Sequence, residues 1–212
     1  MNPPGIVSLA HSSALSGFFV RAVVAFLVVT LAWVPLSPWL SYPVAGMAHI
    51  VLGNGARDWV RTIDKRPGHL EVDTRVRVAA ETGDPQRVAE LVVEANPARY
   101  AYGLPLFLAL LVAARSGHWL RRALGGYLLL LIPQSFSLVM DVLRQIVMVA
   151  GGAAALGMAP WRLEAIALGY QIGSLLLPTL APVFLWLWLD RTFFAAVIVD
   201  GWLRRQGRPD SA

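Results

Sequence analysis

The chain of 212 residues contains no cysteine, and its charged residues are scarce. Without cysteine it can form no disulfide, no thiolate metal site and no thiol nucleophile. Only 15% of the residues are charged, whereas soluble domains carry about a quarter. Apolar residues make up 57% of the sequence, and the mean hydropathy is +0.58. These figures argue against an ordinary soluble protein and predict an integral membrane protein.

Lysine is also nearly absent, since Lys65 is the only lysine among 18 basic residues. The arginines that supply the remaining basic charge lie mostly at the ends of apolar runs. Arginines in that position are typical of the loops that flank membrane spans and set their orientation, rather than of nucleic-acid binding. We therefore expect the lipid bilayer as a partner and no nucleic acid.

The sequence lacks the short motifs of zinc proteases, serine hydrolases, P-loop proteins and dinucleotide-binding enzymes. Its four histidines, His11, His49, His69 and His118, are far apart along the chain. We predict no metal site, no cofactor and no catalytic residue, so an enzyme is the less favoured class.

Four apolar runs stand out: Phe18 to Trp39, Tyr100 to Ala114, the run from Ala123 to Asp141, and Ile166 to Leu189. The second is short for a bilayer core of roughly 30 Å. The pattern predicts an all-α integral membrane protein. The predicted protein has about four transmembrane helices and a small extracytoplasmic α/β insertion between the first helix and the second.

The chain divides accordingly into four parts. Residues 1–39 form the N-terminal segment with the first helix, and residues 40–99 form a periplasmic segment. Residues 100–190 hold three further helices, and residues 191–212 form a cytoplasmic amphipathic tail. Arginines in the short loop after the second run and beyond the fourth run place both termini in the cytoplasm.

For two stretches the sequence is compatible with more than one structure. Residues 141–161 extend the third helix, re-enter the membrane or lie on its surface. Residues 86–96 form either the second strand of a hairpin or a helix that starts at Asp84 and Pro85. The neighbouring patterns are clearer, because residues 41–64 look like an amphipathic helix and "HLEVDTRVRVAA" alternates as a half-buried strand does.

Polar residues, glycines and prolines inside the apolar runs are the candidate functional residues. They are Gln134, Asp141, Arg144, Gly169, Tyr170, Gln171, Gly173, Pro178 and Pro182. One interpretation is internal bonding, with Asp141 paired to Arg144 and Gln134 bonded to Gln171. A second is a surface for a membrane partner, with Gly169 and Gly173 at the spacing of close helix contact. A third is an intramembrane enzyme, or a lipid- or peptide-binding protein, that uses a polar patch around Asp141 and Arg144.

Two stretches resemble a known family: "NPARYAYGLPLFLALLVA" (96–113) and "IALGYQIGSLLLPTLAPVFLWL" (166–187), and "LLLIPQSFSLVMDVLR" (129–144) sits at a similar place between them. They are similar to the exosortase H-associated membrane proteins. The resemblance implies a multi-pass protein of the bacterial inner membrane, beside the sorting transpeptidase exosortase H. It implies an accessory role without catalytic residues, since exosortases use a cysteine that this chain lacks.

Overall fold

The computed structural model describes residues 6–79, 88–115, 117–152 and 156–191. The six helices are α1 (Ile6–Leu40), α2 (Tyr42–Gly55), α3 (Gly103–Ala113), α4 (Trp119–Val149), α5 (Pro160–Gln171) and α6 (Leu177–Leu189). A π-helical turn, Ile172–Leu176, joins α5 to α6, and a 3-10 turn, Pro97–Arg99, precedes α3. The three strands are β1 (Val60–Arg66), β2 (His69–Ala79) and β3 (Val88–Ala95).

Three helical stretches are long and apolar enough to cross a membrane, namely Gly17–Gly55, Trp119–Val149 and Pro160–Leu189. The predicted second span, α3, is apolar but has only 11 residues, which is about 16 Å of helix. The described residues thus provide three helices of sufficient length and one short apolar helix. The short helix packs against both α1 and α6.

The three strands form one antiparallel sheet in the order β1-β2-β3, so the fold is mostly helical rather than all-α. Residues 60–64 were predicted to be helical, and this prediction is wrong because α2 ends at Gly55 and β1 begins at Val60. In β1, Val60, Thr62 and Ile63 are β-branched, which favours a strand. Gly68 then adopts a φ of +77° and turns the chain from β1 into β2.

Residues 88–95 are strand β3, which pairs antiparallel with β2. Of the two alternatives for this stretch, a hairpin strand or a helix, the structure has the strand. The possible helix start at Asp84 and Pro85 lies outside the described residues, as does nearly all of the predicted cytoplasmic tail, residues 192–212.

The sheet is held by helices on its apolar face. Its fully buried residues Leu70 and Val72 belong to the same apolar core as Val44 and Leu52 of α2. The C-terminal half of α4 completes this core with Leu138, Val142 and Ile146. About 60 residues with one small apolar face are poorly stable alone, and this packing supplies the missing core.

The segment after Asp141 continues α4 without interruption to Val149, and α5 begins at Pro160. From Pro160 the chain stays helical to Leu189, through α5, the π turn and α6. At the far end of this stretch, Arg122 Nη1 lies 3.0 Å from Asp190 Oδ1. This ion pair joins the beginning of α4 to the end of α6.

Candidate functional site

The carboxylate of Asp141 lies at the centre of a polar cluster on α4, with only 4% of the residue exposed. Its Oδ2 accepts a hydrogen bond from Gln145 Nε2 at 3.0 Å. Its Oδ1 lies 3.7 Å from Arg144 Nη2, a pair that the spacing of three along a helix allows. A buried carboxylate needs partners of this kind, because an uncompensated charge is costly away from water.

Tyr100 provides the third partner of Asp141 from the segment before α3, since its hydroxyl forms a hydrogen bond with the carboxylate. Burial, and next the negative charge of Asp141, raise the pKa of Tyr100 above its ordinary value of 10.0. Tyr100 therefore keeps its proton and acts as a donor. Sequence reasoning missed Tyr100 and Gln145, because only tertiary packing brings Tyr100 to α4.

Arg144 links the cluster to α5. Its Cζ lies 4.1 Å from the centroid of the Tyr170 ring, which is the geometry of a cation–π interaction. Its Nη1 also lies 3.0 Å from Met148 Sδ. The structure thus brings three of the candidate residues, Asp141, Arg144 and Tyr170, into one network. Such a network can tie α4 to α5 and to the start of α3.

Gln134 lies about two helical turns before Asp141 on α4 and is buried, with 4% of the residue exposed. It lines a cavity of about 10 Å³ together with Tyr100, Ser137, Pro178 and other residues. Within the described part of the chain, its Nε2 has no hydrogen-bond partner. The Gln171 side chain is exposed, and the hydrogen bond between Gln134 and Gln171, which was one interpretation of the sequence, is not found among the described residues.

The two prolines of α6 face α3. Pro178 and Pro182 are buried, and a Cβ on Gly103 would lie 2.5 Å from the Pro178 carbonyl oxygen and 2.6 Å from Pro182 Cγ. Pro182 has no N–H, so it cannot donate to the Pro178 carbonyl as helical geometry requires. The glycine at the start of α3 is what allows the two helices to approach at this interrupted turn.

Gly169 and Gly173 face α4 within the same chain. A Cβ at Gly169 would lie 2.7 Å from Met140 Sδ, and one at Gly173 would lie 3.0 Å from Ser137 Cα. The close contact indicated by their spacing is therefore made inside this chain. Gln171, between them in sequence, points away from this contact and is exposed.

Among the residues that the structure describes, no group of three or more histidines and carboxylates is arranged to hold a metal ion. The cluster around Asp141 combines one carboxylate with hydrogen-bond donors and a cation. The charges of Asp141 and Arg144 therefore balance each other within α4.

Comparison with known proteins gives one finding. No match was found to a curated protein or to a solved structure. A family model described as exosortase H-associated membrane protein matches residues 12–193, which includes every candidate residue discussed above. The chain therefore belongs to the exosortase H-associated membrane protein family, as the resemblance of its apolar segments implied.

Proposed function

We propose that this chain is a non-enzymatic accessory protein of an exosortase-type protein-sorting system in the bacterial inner membrane. It acts by packing its helices against a multi-pass membrane partner, exosortase H. The observation that carries the proposal is the family match over residues 12–193, because the family is described by its association with exosortase H. Both termini are cytoplasmic and the sheet is periplasmic in this proposal.

The partner surface that we propose is the outer face of α5 and the π turn, which consists of Leu168, Gln171 and Leu175. All three side chains are exposed, and Gly169 and Gly173 pack on α4 instead. A glutamine on an apolar membrane helix prefers a hydrogen-bond partner to lipid. A partner helix that contacts this face would supply that hydrogen bond.

The π turn adds a second reason to choose this face. It starts directly after Gln171, and π-helical turns are frequent at functional sites in proteins. The intramembrane enzyme that uses Asp141 and Arg144 is not favoured. Those side chains are engaged with Tyr100, Gln145 and Tyr170, and the family description concerns association.

Site-specific crosslinking in membranes tests the proposal. A photoreactive residue replaces Gln171 in cells that co-express exosortase H. The control replaces Ile132, which is 60% exposed on α4. We expect an exosortase H adduct from position 171 and a much weaker one from position 132. Lipid adducts alone at 171 would rule out this face, and no protein adduct from any exposed helix position would rule out packing in the membrane.

Topology is tested separately with reporter fusions. A reporter inserted near Gly68, in the turn between β1 and β2, is expected to be active only outside the cytoplasm. A reporter at the C-terminus is expected to be active only inside. Cytoplasmic activity of the Gly68 fusion would contradict the proposed orientation.

A further inference from the structure

A long apolar groove lies between α1 and α3, with a volume of about 570 Å³. On α1 its wall is formed by Val20, Val24 and Val28 at four-residue intervals, with Ala25 and Val29 beside them. Nine residue steps from Val20 to Val29 correspond to about 13 Å along the helix. The groove lies on a stretch that is apolar enough to cross a membrane, and in the proposed topology it faces the lipid.

Two guanidinium groups interrupt this apolar wall. Arg21 of α1 and Arg115, just after α3, both line the groove. No acidic side chain lines it in the part of the chain that the structure describes. Val112 of α3 also lines the groove. The groove therefore combines apolar walls with the positive charges of two arginines.

The backbone of Arg115 makes this arrangement unusual. Arg115 has a φ of +50° and follows the last residues of α3, where its N–H donates to the Val112 carbonyl. Glycine is the usual residue in this left-handed position after a helix, because a Cβ there costs roughly 1–2 kcal/mol. An arginine in a position that favours glycine indicates that its side chain has a use beyond ending the helix.

We propose that this groove is a binding site for an anionic phospholipid of the surrounding bilayer. One acyl chain lies along the valine wall, and the phosphate of the headgroup lies between Arg21 and Arg115. Basic pockets between membrane helices bind anionic headgroups in this way. Arginine suits the role because its planar guanidinium can donate two parallel hydrogen bonds to a phosphate. The site is separate from the face around Gln171.

Native mass spectrometry of the full chain in detergent tests the proposal. The protein is titrated with phosphatidylglycerol and, in parallel, with phosphatidylcholine of the same acyl chains. We expect phosphatidylglycerol to bind more tightly. We also expect excess inorganic phosphate not to displace it, because free phosphate lacks the chain that occupies the groove.

Three variants assign the binding to the groove. Arg21→Gln and Arg115→Gly are each expected to weaken phosphatidylglycerol binding about fivefold and to leave phosphatidylcholine binding unchanged. Arg121→Gln, an exposed arginine that does not line the groove, is the matched control and is expected to keep wild-type affinity. Val24→Trp is expected to weaken the binding of both lipids by filling the channel.

Arg115→Gly also distinguishes loss of the lipid-binding site from loss of the folded structure. Glycine relieves the left-handed backbone, so the lipid-free variant is expected to be at least as heat-stable as the wild type while it binds less phosphatidylglycerol. Equal affinities for the two lipids in the wild type would overturn the proposal. An equal loss in Arg121→Gln would overturn it too, because the effect would then reflect overall charge. Displacement by inorganic phosphate would show an anion site without a lipid chain and would also count against it.

Discussion

The guanidinium of Arg144 lies over the ring of Tyr170, with 4.1 Å between Cζ and the ring centroid. This contact joins α4 to α5 beside the place where Gly169 of α5 and Gly173 of the π turn pack closely on α4. On its other side, Arg144 lies 3.7 Å from the buried carboxylate of Asp141. One arginine therefore neutralises a buried charge and fixes a helix pair.

Replacing the Tyr170 ring tests the energetic value of this contact. Tyr170→Leu is expected to lower the free energy of unfolding in detergent by about 1 kcal/mol, because the cation–π interaction is lost. Tyr170→Phe keeps the ring and should stay near the wild type. Chemical denaturation followed by circular dichroism measures both, and an equal loss in the two variants would assign the effect to the hydroxyl instead.

Close packing at Gly173 is expected to matter for the chain itself, before any partner binds. Gly173→Leu places a side chain against Ser137 of α4, and overpacking of this kind costs about 1–3 kcal/mol or more. Gly46→Leu is the control, because a Cβ at Gly46 meets no atom within 4 Å. Thermal unfolding of the purified protein compares the two. A fully stable Gly173→Leu protein would mean that α4 and the π turn do not approach as closely as described.

A matched glycine pair tests the packing of α3 on α4. A Cβ at Gly126 would overlap the ring of Phe107, which is fully buried, whereas a Cβ at Gly125 would meet open space. We expect Gly126→Ala to lower the free energy of unfolding by about 1–3 kcal/mol. Gly125→Ala should be neutral or stabilising by up to about 1 kcal/mol, since alanine favours a helix. Denaturation of both variants gives the difference, and the reverse order would contradict the position of Phe107.

The raised pKa of Tyr100 predicts a loss of stability at high pH. Folded Tyr100 holds its proton more tightly than unfolded Tyr100, whose pKa is near its ordinary value of 10.0. Its contribution is therefore complete below about pH 10 and is lost as the pH rises further, because the unfolded chain then releases the proton first.

Unfolding between about pH 8 and pH 11 measures this loss, in the range where tyrosine titrates. Tyr100→Phe should be less stable than the wild type at neutral pH, because the bond to Asp141 is lost, and should decline less steeply above about pH 10. Tyr102→Phe, at an exposed side chain, should follow the wild-type curve. Parallel curves for wild type and Tyr100→Phe would contradict the raised pKa.

Some features followed from local sequence alone. Long apolar runs with few charges predicted helices able to span a bilayer, because only hydrogen-bonded helices or closed barrels satisfy the backbone in lipid. Alternation from Leu70 to Val78 predicted strand β2, because successive side chains of a strand point to opposite faces. The residues at 96–113, 129–144 and 166–187 were enough to indicate the family, which the match over residues 12–193 confirms.

The strand β1 was missed for a physical reason. Residues 60–64 continue the apolar spacing of the helix before them, and a short run of this kind fits either period. What makes them a strand is the neighbouring β2, which offers its hydrogen-bonding edge across the turn at Gly68. Pairing partners of this kind are not encoded in the run itself.

Sequence by itself determined which runs are apolar enough to span a bilayer, which polar residues interrupt them and which glycines are spaced for close packing. Tertiary structure alone decided that Gly169 and Gly173 face α4, that Gln171 faces outward, and that Tyr100 meets Asp141. The reason is that helical periodicity fixes which residues share a face. Which neighbour covers that face depends on how helices that are far apart in sequence pack together. The sequence of a single helix does not predict this packing.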